Sequence, residues 1–419
     1  MEYSTSRYRL GDLCEFYRGA SVPRTRMHDS GDCLYIHYGD LYKGFSYCID
    51  VERQQKPIPY ILNREKIKDE QRLLDQDIVY VLTSETVDDL GHSFLFNNPQ
   101  HVPAVAGTET TIVRVKDRCI LLPAYLNYLM HSPRFLKMLR QYVRGMKVFR
   151  VHPRDVARIE IELPAIETQR KIVLMLDAIH EKLLVNVRTN GYLAEMLIAL
   201  QRQVAETNET AEFRADEVFT IHIGKTPPRK QHEWFSFDRA DNVIWMSIKD
   251  MGNAGAYLID SSEYLTRQAV EKYNIQKCQP GSILLSFKLT IGRVGIVANE
   301  MVTNEAIACF ASDDQRKLAY LYPLLLTYDY ASMGSTSSIA TAVNSKMVKA
   351  MPLKMPGENA LDDYFKQAKP ILDLLLSSTR EIAALEQLRD TLLPKLMSGE
   401  INVSEIELPM QPNSHLYER

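Results

Sequence analysis

The stretch LPAIETQRKIVLMLDAI (163–179) decides how this chain is read. A Leu-Pro pair ends whatever precedes it, and apolar residues then recur at helical spacing: Ile172, Leu176, Ile179 and Leu183. The series resumes at Leu193, Leu197, Leu200 and Val204, and its steps alternate four and three. That is the 3.5-residue repeat of a coiled-coil seam. The same phase passes through Asn186 and Asn190. Amides in an apolar seam cost stability, yet they fix register and partner orientation. A helix of this length spans about 55–60 Å.

Working outward, the chain repeats the segment. IEIELPAIE (159–167) is paralleled by MPLKMPGEN (351–359), and each leads into a long amphipathic pattern. The second seam runs Leu361, Phe365, Ala368, Leu372, Leu375, Thr379 and Ile382, then Leu385, Leu388, Leu392 and Leu396 in looser phase. Pro370 is expected to kink this helix or mark its effective start, and Gly399 to cap its end. Upstream the halves also rhyme. YRLGDLCEFYRGASVPR (8–24) matches FRADEVFTIHIGKTPPR (213–229), and CLYIHYGDL (33–41) matches VIWMSIKDM (243–251), an alternating apolar strand ending in Asp40 or Asp250. QRLLDQDIVYVLTSE (71–85) matches QKCQPGSILLSFKLT (276–290), and GHSFLF (91–96) matches GRVGIV (292–297). Two copies are too few for a solenoid, so the pattern predicts a pseudo-two-fold molecule.

The expected fold class is therefore α/β (α+β): two pseudo-symmetric globular domains separated by two long antiparallel helices forming a coiled coil. The expected divisions are 1–162, the central helix 163–210, 211–356, the C-terminal helix 357–402 and a tail, 403–419. The alternative is two amphipathic helices that each pack on their own domain without pairing.

Composition narrows the function classes. The 419 residues are 45% apolar and 25% charged, an ordinary globular balance, with a net charge of −3. Any nucleic-acid surface must then come from local clustering of cations. No apolar run is long enough to span a bilayer and no N-terminal apolar signal is visible, so a cytoplasmic location without membrane contact is expected. The six cysteines are scattered without C-x-x-C or paired histidine spacing, which predicts buried reduced thiols and no metal site.

Catalytic patterns are missing. There is no phosphate loop, no G-x-G-x-x-G after a strand, no G-x-S-x-G and no H-E-x-x-H. The nearest approach to an amino-methyltransferase tetrapeptide, NNPQ (97–100), lacks its second proline and aromatic. Single acids such as Asp77 and Glu85 form no convincing nuclease set, and the ten histidines look isolated. No catalytic residue and no cofactor is expected in this chain.

Charge clusters instead. Residues 131–158 hold eight Lys/Arg against the single acid Asp155. Within them RGMKVFR (144–150) suits a loop entering a groove, while the spacing of Arg134, Lys137 and Arg140 equally suits a solvated helix face. The matching place in the second half, SMGSTSSIATAVNSKMVK (332–349), is rich in hydroxyls and amides, which can also read base edges. Candidate DNA-contacting residues are Arg24, Arg26, Arg144, Lys147 and Arg150 in the first half, and Lys225, Arg229, Lys249, Lys288, Arg293 and Lys346 in the second.

These motifs resemble the DNA-specificity (S) subunit of type I restriction-modification systems. The carriers are LGDL with G-x-S-x-P (10–23), CLYIHYGDL (33–41), IEIELPAIETQRKIVLMLDAI (159–179) and LEQLRDTLLPKLMSGEI (385–401). The resemblance implies two target recognition domains, each binding one half of a split double-stranded DNA site, with antiparallel helices setting the gap. It further implies two modification (methyltransferase) subunits docked on the helices, which carry S-adenosylmethionine, and restriction subunits joined to that core. The chain departs from the pattern where MPLKMPGENALDDYF (351–365) lacks a counterpart of Gln169. A coiled-coil scaffold without sequence-specific DNA binding is the competing class.

Overall fold

The strand Ile78–Val81 shows how each half is built. All four of its residues are buried, Ile78 and Tyr80 in one apolar cluster and Val79 and Val81 in another. Side chains alternate across a strand, so this one must be covered on both faces. The strand Ile283–Ser286 repeats the arrangement, with Ile283 and Leu285 on one side and Leu284 on the other.

The computed structural model describes residues 5–42, 45–53, 56–62, 65–87, 89–333, 343–403 and 406. The chain divides into two compact units, 1–180 with 387–419, and 181–386. In the first, a five-stranded sheet has the order Cys14–Arg18, Thr110–Val115, Ile78–Val81, His92–Asn97, Cys48–Asp50. In the second the order is Thr220–Ile223, Ile307–Ala311, Ile283–Ser286, Val294–Val297, Tyr257–Leu258. The last pair is parallel in both sheets and the other pairs are antiparallel. Each unit adds a two-stranded ribbon, Thr5–Arg9 with Glu160–Pro164 or Thr210–Arg214 with Pro352–Pro356. The internal repeat read from the sequence is thus a repeat of topology. Even the turns agree: Gly91 and Gly292 both adopt positive φ (93° and 87°) before matched strands, and a Cβ at Gly91 would crowd Leu139.

The segments 33–41 and 243–251 differ from expectation. The strands are Cys33–Ile36 and Val243–Met246, and short helical turns follow at Tyr38–Leu41 and Ile248–Asn253. Asp40 and Asp250 therefore sit in the turns rather than at strand ends. Nor is the first strand half-solvated, since Leu34 and Ile36 face one core and Cys33 and Tyr35 another. An apolar strand buried on both faces and an alternating one are hard to separate over four residues.

The central helix runs Ile166–Thr207 and the C-terminal helix Glu358–Ser398. Pro370 does not mark the start of the second, which begins twelve residues earlier with Leu361 N–H donating to the Gly357 carbonyl (3.0 Å). An ion-pair cluster supports this start: Arg316 reaches Glu358 (2.8 Å) and Asp362 (2.5 Å). Gly399 follows the helix at φ 78°, as a C-terminal cap requires. In the second unit Leu193, Leu197 and Val204 share a core with Leu361, Tyr364, Ala368, Leu372 and Leu375. There Asn186 donates to Glu381 (2.8 Å) and Asn190 to Thr379 (3.5 Å), so the two helices run antiparallel. In the first unit Ile172, Val173 and Leu176 share a core with Leu393 and Leu396. Ile179 and Leu183 are buried, whereas Ile382 is half-buried and Leu388 exposed. Leu393, not Leu392, is the fully inward residue, because the seam shifts phase towards the helix end.

Gln169 has a structural task. Its buried amide accepts from Leu122 N–H (3.0 Å) and donates to the carbonyls of Ile120 (2.9 Å) and Pro164 (3.0 Å). At the matched position the second unit places buried Leu361. Of the cysteines, 14, 33, 278 and 309 are buried free thiols, but Cys119 is exposed and Cys48 half-buried. Among the described residues, no helix is long and apolar enough to cross a membrane.

Candidate nucleic-acid interface

The basic segment of the first unit divides between both readings of its sequence. Residues Pro133–Arg140 form a helix with its cations on the solvent side. Residues 144–150 form a hairpin, closed by reciprocal backbone hydrogen bonds between Arg144 and Arg150 (2.9 and 2.8 Å). Gly145 turns it at φ 117°, where a Cβ would collide with the Val148 carbonyl. Phe149–Arg150 then pairs with Thr83–Ser84. The hairpin tip is bare, with Met146 94% exposed beside exposed Lys147.

Beneath the hairpin lies a groove of about 650 Å³ lined by Arg18, Thr83, Glu109, Arg144, Arg150 and Arg154, among others. Arg144 pairs with Asp155 (3.3 Å) and Arg150 with Glu109 (3.6 Å), yet both remain largely exposed. Two sequence candidates are therefore brought together here, with Lys147 at the tip. Arg18 was missed, because a strand-end arginine carries no signal of what it faces. Arg24 and Arg26 lie elsewhere, in the short turn Arg24–Arg26, where Arg26 pairs with Glu65 (3.0 Å). The matched turn keeps the same bond, Arg26 N–H to Pro23 and Gln231 N–H to Pro228, each 2.9 Å.

In the second unit several candidate cations brace the fold. Lys225 donates to the carbonyls of Tyr273 (3.1 Å) and Asn274 (2.9 Å). Arg229 donates from one guanidinium nitrogen to both carboxylate oxygens of Glu263 (2.7 and 2.9 Å) and lies over the rings of Phe235 (4.4 Å) and Trp245 (4.5 Å). Arg293 donates to the Ile248 carbonyl and lies against Gly252. Lys249, Lys288 and Lys346 are exposed. Leu289, beside Lys288, is 98% exposed at φ 61°, an apolar side chain held in solvent on a loop. No cation series pointed to it or to Met146. Half of the hydroxyl-rich stretch 332–349 lies outside the described residues, at 334–342; its end forms the helix Ser345–Lys349, capped by Asn344.

The acids considered for chemistry have other work or stand alone. Asp77 is buried and takes two hydrogen bonds from Arg114 (2.8 and 2.7 Å) and one from Leu74 N–H (2.7 Å). Glu85 is exposed. The histidines are less isolated than expected. His131 and His180 both contact the Tyr47 ring (4.3 and 5.7 Å), and burial pushes each down to about 4. His222 sits against Cys278 and Cys309.

Each unit is thus one copy of the same α/β fold with exposed cations on its loops. Residues 5–189 and 208–387 match the family model of the type I restriction modification DNA specificity domain, and the chain belongs to that family. It is 26% identical over 186 residues to the HindI specificity subunit of Haemophilus influenzae, covering 43% of this chain and 39% of that protein's length. It is 20% identical over 313 residues to the MjaIX specificity subunit of Methanocaldococcus jannaschii, covering 67% and 70%. The crystal structure of a type I restriction-modification S subunit from M. genitalium shares the fold, with a TM-score of 0.54, 13% identity and coverage of 94% and 96%.

Proposed function

We propose that this chain is the DNA-reading, non-catalytic subunit of a type I restriction-modification complex, and that each of its two units reads one half of a split target. The observation that carries the reading is the duplication itself: one strand order occurs twice, with different side chains on its exposed loops. In the first unit the hairpin 144–150 and the Arg18–Arg154 groove supply phosphate contacts, which give affinity and register. Specificity comes from side chains reaching base edges, and Lys147 and Met146 are placed at the tip to do so.

The helices serve two further roles. Their length sets the number of base pairs between the half-sites. On the central helix Val185, Tyr192 and Met196 are each more than half exposed and follow one another at helical spacing. That apolar stripe suits docking of a modification (methyltransferase) subunit, which brings S-adenosylmethionine and the methyl-transfer chemistry. Two such subunits on one chain, with restriction subunits added, complete the complex.

The test is reconstitution with the partner methyltransferase and mapping of methylated bases. Methylation of one bipartite sequence is expected; a continuous, unsplit target would contradict two readers. The complex should also bind DNA with an affinity that falls steeply with salt. A salt-insensitive or absent interaction would instead favour a coiled-coil scaffold.

A further inference from the structure

The five-stranded sheets of the two units agree in topology but differ at one core position. In the first unit the matched residues are Tyr17, Leu73 and Ile112, apart from an exposed hydroxyl an apolar set. In the second they are His222, Cys278 and Cys309. His222 on the edge strand Thr220–Ile223 lies directly opposite Cys309 on the next strand, and Cys278 comes from outside the sheet, bridged to Met301. Apolar core packing requires no such set of donors, as the first unit demonstrates.

The geometry is that of a ligand set. The three donor atoms all lie within 4.8 Å of one another, and His222 Nε2 is 3.5 Å from Cys278 Sγ. Around a tetrahedral zinc ion, bonds of about 2.0–2.1 Å to nitrogen and about 2.3 Å to sulfur put those atoms roughly 3.5 Å apart. A fourth polar group lies at the same spot: Thr303 is fully buried and its hydroxyl lies beside the Cys278 thiol. The first unit has buried Ala106 in the matched strand position.

We propose that His222, Cys278 and Cys309 hold a zinc ion, with a water on the Thr303 hydroxyl as fourth ligand. Two thiolates and a neutral imidazole balance the charge of Zn²⁺, so the buried centre is neutral overall, and binding releases the two thiol protons. Soft sulfur with one imidazole selects zinc over magnesium or calcium. The ion would tie an edge strand, its neighbour and the segment before Ile283–Ser286 into one piece, steadying the second unit alone. This does not depend on the DNA-reading role.

The full chain, purified reduced and without chelators, should contain stoichiometric zinc. Replacing zinc by cobalt(II) should produce thiolate-to-metal charge transfer and the visible bands of tetrahedral cobalt. His222→Ala, on a partly exposed edge position, and Cys309→Ser should each abolish the bands, while Cys119→Ser, an exposed thiol, should leave them intact. Reduced wild-type protein that takes up cobalt without a charge-transfer band overturns the site. So does a band that survives both His222→Ala and Cys309→Ser, or a chain whose Cys278 and Cys309 are found joined as a disulfide. Should Cys309→Ser not fold, the wild-type spectrum and His222→Ala still decide.

Discussion

The two units share one strand order and hold it together in different ways. The first ties the loop before helix Pro123–His131 to the central helix through Gln169, whose amide makes three hydrogen bonds. The second places Leu361 in the core and moves polar contacts outside, to Arg316 with Glu358 and Asp362. The first packs buried His180 and half-buried His131 around Tyr47; the second gathers His222, Cys278 and Cys309. What stays constant is apolar burial on both faces of the central strands, and what varies is the set of polar side chains around it. Topology therefore tolerates wide change at the loops, which is what two readers of different half-sites need.

That contrast can be broken where it is sharpest. Gln169→Leu should destabilise the first unit by about 3 kcal/mol or more, since it strands a buried N–H and two carbonyls. Leu361→Ala should cost the second unit about 2–5 kcal/mol through a cavity. Denaturant melts of the full chain, followed by hydrogen exchange in each unit, would separate the two; equal loss in both units would deny that they are independent cores.

Acid should act on the first unit next. His131 and His180 titrate near 6.5 when unfolded and are pushed down to about 4 by burial. The unfolded chain then binds more protons across that window, so stability is complete above about pH 6.5 and falls towards pH 4, by roughly 3 kcal/mol for each histidine. Exchange protection in the first unit measured from pH 7 to pH 4 should drop, and His180→Leu should flatten the profile. A profile unchanged by that substitution would show that another group governs it.

Smaller effects fall on the reading surfaces. Arg154→Ala, in the groove, should weaken binding to all sequences alike and lower the salt slope by about 1. Leu289→Ala should relax the preference at one base pair by up to about 1–3 kcal/mol, the span of a single mismatch, with the salt slope unchanged. The reverse pattern would exchange their roles.

Much of the fold was legible. The seam from Ile172 to Val204, the duplicated LPAIE and KMPGE starts and the Gly399 cap lie in local periodicity and turn chemistry. Pro370 did not give the helix start, because the first turn is set twelve residues earlier, at Glu358, by the ion pairs of Arg316 with Glu358 and Asp362. The strands at 33–36 and 243–246 were misjudged because tertiary layers, not sequence, cover their second face. The interface was legible only as charge. Whether a cation faces solvent or is taken by Glu65, Glu263 or the Ile248 carbonyl depends on residues 34 to 45 positions away. The His222–Cys278–Cys309 group was invisible for the same reason, His222 and Cys309 being brought together by sheet register and Cys278 by a bridge to Met301 outside the sheet.

The most direct test of the whole account is to replace the hairpin 144–150 with a neutral turn of equal length and map methylation in the reconstituted complex. The account predicts that one half of the bipartite target is lost or altered, while the other half and the spacing between them stay the same. A change in the spacing, or in both halves together, would contradict it.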